Sequence, residues 1–238
     1  MRWRRLILPS FLALPVLALL LGLGTWQVQR LHWKTALLAE LAAAQAAPPV
    51  PAGPAPAPFA HITATGRFRP GAEAFLGLEV RGSTLGGALI AVLEREGAPP
   101  LLVERGWAPF EGGAIERPEG QVTVSGYARP AERRGLLAPA DDLARARFLT
   151  FDPRAIAAWL GAPEAPAYAL VVVQPGPPRA EGGFGQAPAP ARGPLPDPQR
   201  GFPQPRNPHL GYALTWYGLA LAWIAVFALW ARRRWRDA

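Results

Sequence analysis

The chain has no cysteine, a single methionine and only three histidines among its 238 residues. Without cysteine it cannot form a disulfide, bind a metal through thiolates or perform thiol redox chemistry. It also lacks a glycine-rich phosphate loop, a Gly-x-Ser-x-Gly nucleophile motif and a His-Glu-x-x-His zinc motif. Because no catalytic pair of residues stands out, we expect a protein that is not an enzyme.

Positive charge is concentrated at the two ends of the chain. The formal net charge is +8, and residues 1–5 and 232–238 together hold seven arginines and one aspartate. The rest of the chain is nearly balanced, and it contains no basic stripe interleaved with aromatic residues. The charge pattern therefore argues against a nucleic-acid partner.

Two long stretches without charge lie directly inside these arginine-rich ends. Leu6 to Gly24 contains 19 residues and Leu210 to Ala231 contains 22. A helix of about 20 apolar residues crosses the roughly 30 Å hydrocarbon core of a bilayer. We therefore predict two transmembrane helices, over residues 6–24 and 209–231, with the lipid bilayer as a partner.

The arginines also predict how the chain is oriented in the membrane. Lys and Arg are retained on the cytoplasmic side, so both tails should be cytoplasmic and the central domain periplasmic. The first apolar stretch exceeds the usual signal-peptide core of about 7–15 residues, and no small-residue cleavage site follows it. We expect an uncleaved anchor, and the bias toward Ala, Arg, Pro and Gly suggests a bacterial inner membrane.

Between the two spans the sequence divides into four parts. Apolar residues recur every three or four positions over 25–47, which predicts an amphipathic helix that continues the first span. Residues 48–58 hold six prolines and indicate an extended linker. Residues 59–175 hold the periplasmic domain, and residues 176–208 form a Pro/Gly-rich tether with little apolar content.

Strand-like segments dominate the central domain. They are separated by Gly and Pro and comprise residues 61–68, 74–80, 88–94, 101–104, 121–127, 147–151 and 168–173. One short helix is predicted from Pro153 to Leu160, with Asp152 as its N-cap and Gly161 as its stop. We therefore predict two transmembrane helices flanking a mainly β (α+β) domain, built as a small antiparallel sheet or open barrel.

His209 is the most suggestive residue for chemistry, because it stands at the start of the second apolar stretch. A neutral imidazole is a common axial ligand of haem iron, but histidine is also an ordinary anchor at the membrane interface. Tyr212 and Trp216 follow three and seven residues later, on the same helical face. The residues alone leave the ligand and the anchor interpretations open.

Two further segments carry alternatives of the same kind. His32, beside Trp33, is either a second ligand at the membrane edge or an exposed histidine on a helix. Arg105 and Trp107 follow a predicted strand, so they either form a turn presented to the membrane or pack into the domain.

Five motifs, in this order, make the chain resemble the Surf1 family of cytochrome c oxidase assembly proteins. The first and last are the specific ones, and the two-span layout matches as well. The motifs are GTWQVQRLHWK at 24–34, GRF at 66–68, LVERGWAP at 102–109, VTVSG at 122–126 and NPHLGYALTWYG at 207–218.

The resemblance implies an assembly factor for cytochrome c oxidase, respiratory complex IV. Such a protein would bind haem a transiently and aid its insertion into subunit I, with subunit I and other oxidase assembly factors as partners. His209 matches the family's histidine at the start of the second span and becomes the expected axial ligand of the iron. The other expected cofactor-binding residues are Tyr212, Trp216, His32, Trp26, Gln27, Arg30 and Arg105. The alternative is a scaffold or chaperone that stabilises nascent oxidase subunits without binding haem.

Overall fold

The structure, a computed structural model, describes residues 4–176 and 193–236. The chain separates into a helical unit, formed by residues up to 40 and from 205 onward, and a sheet unit of residues 41–204. The helices are α1 (Arg4–Ala46), α2 (Pro153–Trp159) and α3 (His209–Arg236). The strands are β1 (Val50–Pro51), β2 (His61–Arg81), β3 (Thr84–Arg95), β4 (Ala98–Pro109), β5 (Val122–Pro130), β6 (Arg147–Phe148), β7 (Tyr168–Gln174) and β8 (Gln199–Arg200).

Helices α1 and α3 are long and apolar enough to cross a membrane. The protein does not cover their apolar side chains, since Phe11 is 72%, Leu14 is 62% and Leu221 is 69% exposed. A core helix of a soluble protein would bury these residues. The prediction of an apolar helix at each end is confirmed, and the exposed surfaces indicate a membrane protein. Helix α1 also continues without interruption from the predicted span through residues 25–46.

Strand β2 is the longest strand and determines the shape of the sheet. The sequence predicts two strands here, 61–68 and 74–80, separated at the Pro70-Gly71 pair. The structure joins them into one strand with two register shifts, near Gly71 and Gly77, whose φ angles are 74° and 71°. Glycine adopts positive φ at little steric cost, so the strand bends at bulges instead of ending.

The bends allow β2 to pair with two different neighbours. Residues 61–66 pair with β5, and residues 67–81 pair with β3. The order β2-β3-β4-β7-β5 thereby returns to β2 and closes a barrel. The prediction of a mainly β domain is confirmed. The expected antiparallel sheet or open barrel needs correction, because the ring is closed and β4 runs parallel to β7 after a long crossover.

The sheet buries an apolar cluster on each face. On one face Ile156 of α2 packs with a cluster that includes Ile90 and Leu102. The other cluster contains Ile62, Leu93, Leu101, Val103 and Leu170. Because β4 is covered on both faces, its residues from 100 to 109 are all buried, as is typical of an interior strand.

The predicted linker over residues 48–58 is held against the barrel. Strand β1 pairs in parallel with β2, and the hydroxyl of Tyr168 donates to the carbonyl of Gly53 over 2.7 Å. Arg95 donates to the carbonyl of Ala52 over 2.8 Å. The segment is therefore part of the sheet unit.

The predicted tether over residues 176–208 also needs correction. Residues 177–192 lie outside the described part of the chain. Beyond them, Asp197 and Trp107 exchange two backbone hydrogen bonds of 2.8 and 2.9 Å, and Phe202 is only 3% exposed. Low apolar content suggested a tether, but backbone hydrogen bonds hold residues 193–204 on the barrel.

Helix α2 begins as the sequence predicts. The carboxylate of Asp152 accepts hydrogen bonds from the backbone N–H groups of Arg154 and Ala155, at 3.0 and 3.1 Å, and Gly161 adopts a φ of 72° just after the helix.

We expect Asp152→Ala to lower the free energy of unfolding by about 1 kcal/mol, because it removes the N-cap acceptor. Asp152→Asn should retain most of the stability, and urea unfolding of the two variants would compare them. Equal losses in both would contradict the capping role.

Candidate functional site

Helices α1 and α3 pack as an antiparallel pair. The indole of Trp223 donates to the carbonyl of Ala13 over 3.2 Å, and the hydroxyls of Thr25 and Tyr217 lie 3.1 Å apart. Residues later in α1 therefore contact residues earlier in α3. The arginine-rich ends of the two helices consequently lie on the same side, as a hairpin topology requires.

Small residues allow the two helices to approach closely. A Cβ on Gly24 would lie 2.7 Å from Cε1 of the Tyr217 ring. Ala213 and Ala220 of α3 are 2% and 1% exposed. Small residues at such positions are typical of helix pairs in membranes, where packing replaces the hydrophobic effect.

His209 and Gln27 meet where α3 begins. Nδ1 of His209 lies 2.7 Å from Oε1 of Gln27, which is 8% exposed. An amide oxygen only accepts hydrogen bonds, so Nδ1 is the protonated nitrogen that donates. In a neutral imidazole the other nitrogen, Nε2, then keeps its lone pair. The contact thus joins the first and the last sequence motif and leaves one ring nitrogen able to bind a metal.

Asn207 forms a second attachment of the same segment to α1. Its Nδ2 lies 3.2 Å from Oγ1 of Thr35 and 3.4 Å from the carbonyl oxygen of Leu31. Thr35 gives its own hydroxyl proton to the Leu31 carbonyl over 2.9 Å, so both partners of Asn207 accept. Within the described residues, the buried Oδ1 of Asn207 has no hydrogen-bond partner.

Trp26, Arg30 and His32, the other predicted residues of α1, are exposed. Trp26 is 52% exposed, and the Arg30 guanidinium stacks over the Trp33 ring at 4.3 Å from its centre. His32 is exposed and lies about 140° around the helix from Gln27, at about 100° per residue. The structure therefore does not place His32 on the face of α1 that carries Gln27.

Tyr212 and Trp216 follow His209 along α3. Tyr212 is 54% exposed and Trp216 is partly buried. Their spacing puts them over one and two turns on the side of α3 that carries His209. A role for these two rings in binding a cofactor stays a prediction.

Arg105 belongs to the barrel. It is 8% exposed, lies 3.6 Å from a carboxylate oxygen of Glu73, stacks on Phe68 and donates to the carbonyl of Glu116. Burial is the main reason that its pKa falls below the usual arginine value. Trp107 is likewise packed, with its indole N–H donating to the carbonyl of Glu79 over 3.1 Å. Of the two alternatives for this segment, the structure therefore shows the packed one.

Comparison with known proteins assigns the family. The family model of the SURF1 family matches residues 14–221 of the chain. The chain belongs to the SURF1 family. The matched range of this SURF1 family member includes both partners of the Gln27–His209 contact.

Named relatives extend the similarity over nearly the whole chain. A SURF1-like protein of Rickettsia conorii is 27% identical over 94% of this chain and 91% of its own length. A SURF1-like protein of Rickettsia felis is 26% identical over 94% of this chain and 96% of its own. The cytochrome oxidase assembly protein SHY1 of Saccharomyces cerevisiae is 28% identical over 56% of this chain and 38% of its own.

Sequence reasoning did not single out Asn207 or Thr35 in this SURF1 family member. Asn207 stands inside the quoted motif at 207–218, but a polar residue before a proline is also typical of a loop. Its role becomes visible only when α3 packs on α1. The only signal in the sequence was that both residues are polar and lie close to an apolar stretch.

Proposed function

We propose that this chain is a membrane-bound assembly factor of cytochrome c oxidase that binds haem a and aids its insertion into subunit I. Membership of the SURF1 family supports the assembly role, as does the similarity to a protein named for cytochrome oxidase assembly. Subunit I and other oxidase assembly factors are the proposed partners. The proposed location is a bacterial inner membrane, with both ends cytoplasmic and the barrel periplasmic.

The hydrogen bond between His209 and Gln27 carries the proposal of haem binding. It directs the proton of the imidazole to Nδ1 and leaves Nε2 as a basic nitrogen. Metal-bound histidines usually donate their other N–H to an acceptor in this way. His209 is partly exposed, so Nε2 remains accessible to a ligand.

The donor set fits haem better than a bare metal ion. Among residues 4–176 and 193–236, no group of three His, Cys, Asp or Glu side chains is placed to hold an ion. A haem would bring its iron already held by four ring nitrogens and needs only an axial ligand from the protein. His209 is the proposed axial ligand.

Neighbouring side chains suit the rest of such a molecule. Trp26, Tyr212 and Trp216 offer aromatic surface, and a porphyrin is a large apolar ring. In the described residues Arg30 forms no ion pair, so its guanidinium is available to a propionate carboxylate. Arg105 is not among the proposed haem contacts, because its guanidinium is already bound within the barrel.

The proposed role is transfer without catalytic turnover. A transfer protein must release its cargo, and a single histidine ligand at a partly exposed position holds haem less firmly than a closed site with two ligands. His209 would orient the iron, and the pairing of α1 with α3 would hold the ligand at the periplasmic end of the spans.

We expect the full-length protein, purified in detergent from cells that make haem a, to show a Soret band that His209→Ala abolishes. The loss follows because an alanine offers no ligand to the iron. His61→Gln is the matched control, since His61 bonds to the Ala47 carbonyl and the Ser125 hydroxyl within the sheet unit. The absorption spectra of the three proteins decide the matter. A colourless parent protein would refute haem binding and favour the scaffold alternative.

A further inference from the structure

We propose that Gln27 is a positioning residue, which selects the tautomer of His209 so that Nε2 faces the ligand unprotonated. The inference rests on the proposed haem-binding function and refines it. The sequence resemblance suggested that Gln27 touches the cofactor, whereas the structure assigns it to the histidine. Gln27 then acts on the ligand only through the imidazole.

Burial separates Gln27 from its neighbours on α1. Trp26 and Gln29 are exposed, whereas Gln27 is 8% exposed. A buried side-chain amide must find a partner within the protein, since an unpaired buried polar group is destabilising. The imidazole of His209 supplies that partner at 2.7 Å. The amide oxygen is therefore committed to the histidine.

The orientation of the Gln27 amide determines the chemistry of His209. With Oε1 toward the ring, Nδ1 must donate, and Nε2 keeps the lone pair that an iron ligand needs. With the amide turned over, its NH₂ group would donate to Nδ1. The proton of the neutral ring would then sit on Nε2 and block ligation. The orientation of the Gln27 amide thus decides whether the neutral imidazole of His209 can bind iron through Nε2.

Asn207 fixes where the imidazole is placed. Its Nδ2 must point at α1, because the Leu31 carbonyl and the Thr35 hydroxyl both accept from it. Pro208 lies between Asn207 and His209 and restricts the backbone φ to about −65°. Two attachments on either side of one proline therefore hold the start of α3 on α1. The ring of His209 reaches Gln27 from a defined backbone position.

The chain is well suited to a direct test, since it has only three histidines. Full-length protein in detergent, labelled with ¹⁵N-histidine and free of haem, would be studied by long-range ¹H–¹⁵N correlation at mildly alkaline pH, where imidazoles are neutral. The signal that disappears in His209→Ala identifies His209. We expect the Nδ1–H tautomer in the parent protein.

Three variants examine the role of Gln27 in the same spectra. Gln27→Leu removes the acceptor and should shift His209 away from the Nδ1–H form. Gln27→Glu keeps an acceptor and should retain that form. Gln29→Leu, on the exposed face two residues later, should change nothing. An Nε2–H tautomer in the parent, or an unchanged tautomer in Gln27→Leu, would overturn the inference.

Titration with haem a separates this inference from the proposed function. Gln27→Leu is expected to weaken haem affinity about 10- to 100-fold, as removal of a histidine's hydrogen-bond partner does at other metal sites, and Gln27→Glu should restore it. If the tautomer is as expected but the parent protein binds no haem, the proposed function fails and the assignment of Gln27 stands. If Gln27→Leu binds haem as tightly as the parent, the positioning role is wrong while haem binding stands.

Discussion

Gly106→Ala is expected to lower the free energy of unfolding of the barrel by about 3 kcal/mol or more. Gly106 has a φ of 127°, a conformation that alanine adopts only with strain. A Cβ there would overlap the carbonyl of Asp197 and lie 2.6 Å from Cα of Pro198. Neither atom can move aside easily, because Asp197 is held to Trp107 by two backbone hydrogen bonds.

Pulse proteolysis of the full-length protein in detergent and increasing urea would measure this loss. Gly97→Ala is the matched control, since Gly97 also has a positive φ, 68°, but a Cβ there meets no atom within 4 Å. The control should cost only about 1–2 kcal/mol from backbone strain. The difference between the variants reports the overlap with Asp197 together with the greater backbone strain at a φ of 127°. If both lose equal stability, that contact does not hold residues 193–204 on the barrel.

The same glycine illustrates what the sequence could not predict. Alternation and turn residues indicated a strand that ended at 104, yet β4 continues to Pro109 through a bulge at Gly106. The extension pairs with residues 86–89 of β3 and, at Trp107, also with Asp197, which is distant in sequence and belongs to a stretch whose composition suggests a tether. Local patterns carry no information about such a partner.

Features with local causes were predictable. Asp152, Pro153 and Gly161 define α2 because a cap, a first-turn proline and a glycine stop act within one helix. The two apolar helices followed from length and composition alone. Of the candidate site, the sequence motifs singled out His209 and Gln27, but their contact joins residues 182 positions apart. It became visible only when α1 and α3 were packed together.

A second large effect is expected at a buried ion pair. Arg129 donates to the Glu104 carboxylate over 2.5 Å and to the Glu132 carboxylate over 2.7 Å, and it stacks over Phe151. Glu104 is 8% exposed. Arg129→Met should lower the free energy of unfolding by about 3–5 kcal/mol, because it leaves the buried carboxylate of Glu104 without a counter-charge.

Urea unfolding monitored by pulse proteolysis again provides the measurement. Arg145→Ala is the control, since Arg145 pairs with Asp142 at the exposed 3-10 turn Leu143–Arg145, and exposed pairs contribute little to stability. It should leave the unfolding midpoint unchanged. A loss in Arg129→Met no larger than that of the control would show that Glu104 finds another partner or water when the arginine is removed.

The cost of Arg129→Met should also depend on pH. Burial raises the pKa of Glu104 above its ordinary value, although Arg129 pulls it down. For a raised carboxyl pKa, the stabilising contribution is complete below the unfolded-state value and is lost as the pH rises through the folded-state value. Without Arg129 the pKa of Glu104 rises further, so the variant loses more stability than the parent between acid and neutral pH.

Glu132 also makes the stability loss of Arg129→Met larger at neutral pH than at acid pH. Burial opposes ionisation there, but the hydrogen bonds from Arg129 and the Phe151 N–H hold the pKa of Glu132 below its ordinary value. The stability from such a group is present above the unfolded-state pKa and is lost as the pH falls through the folded-state pKa. The variant lacks much of this contribution at neutral pH. The stability difference between Arg129→Met and the parent should therefore be largest at neutral pH and shrink in mildly acidic buffer. A difference that stays constant or grows on acidification would contradict the assignment of a buried, ionised Glu104.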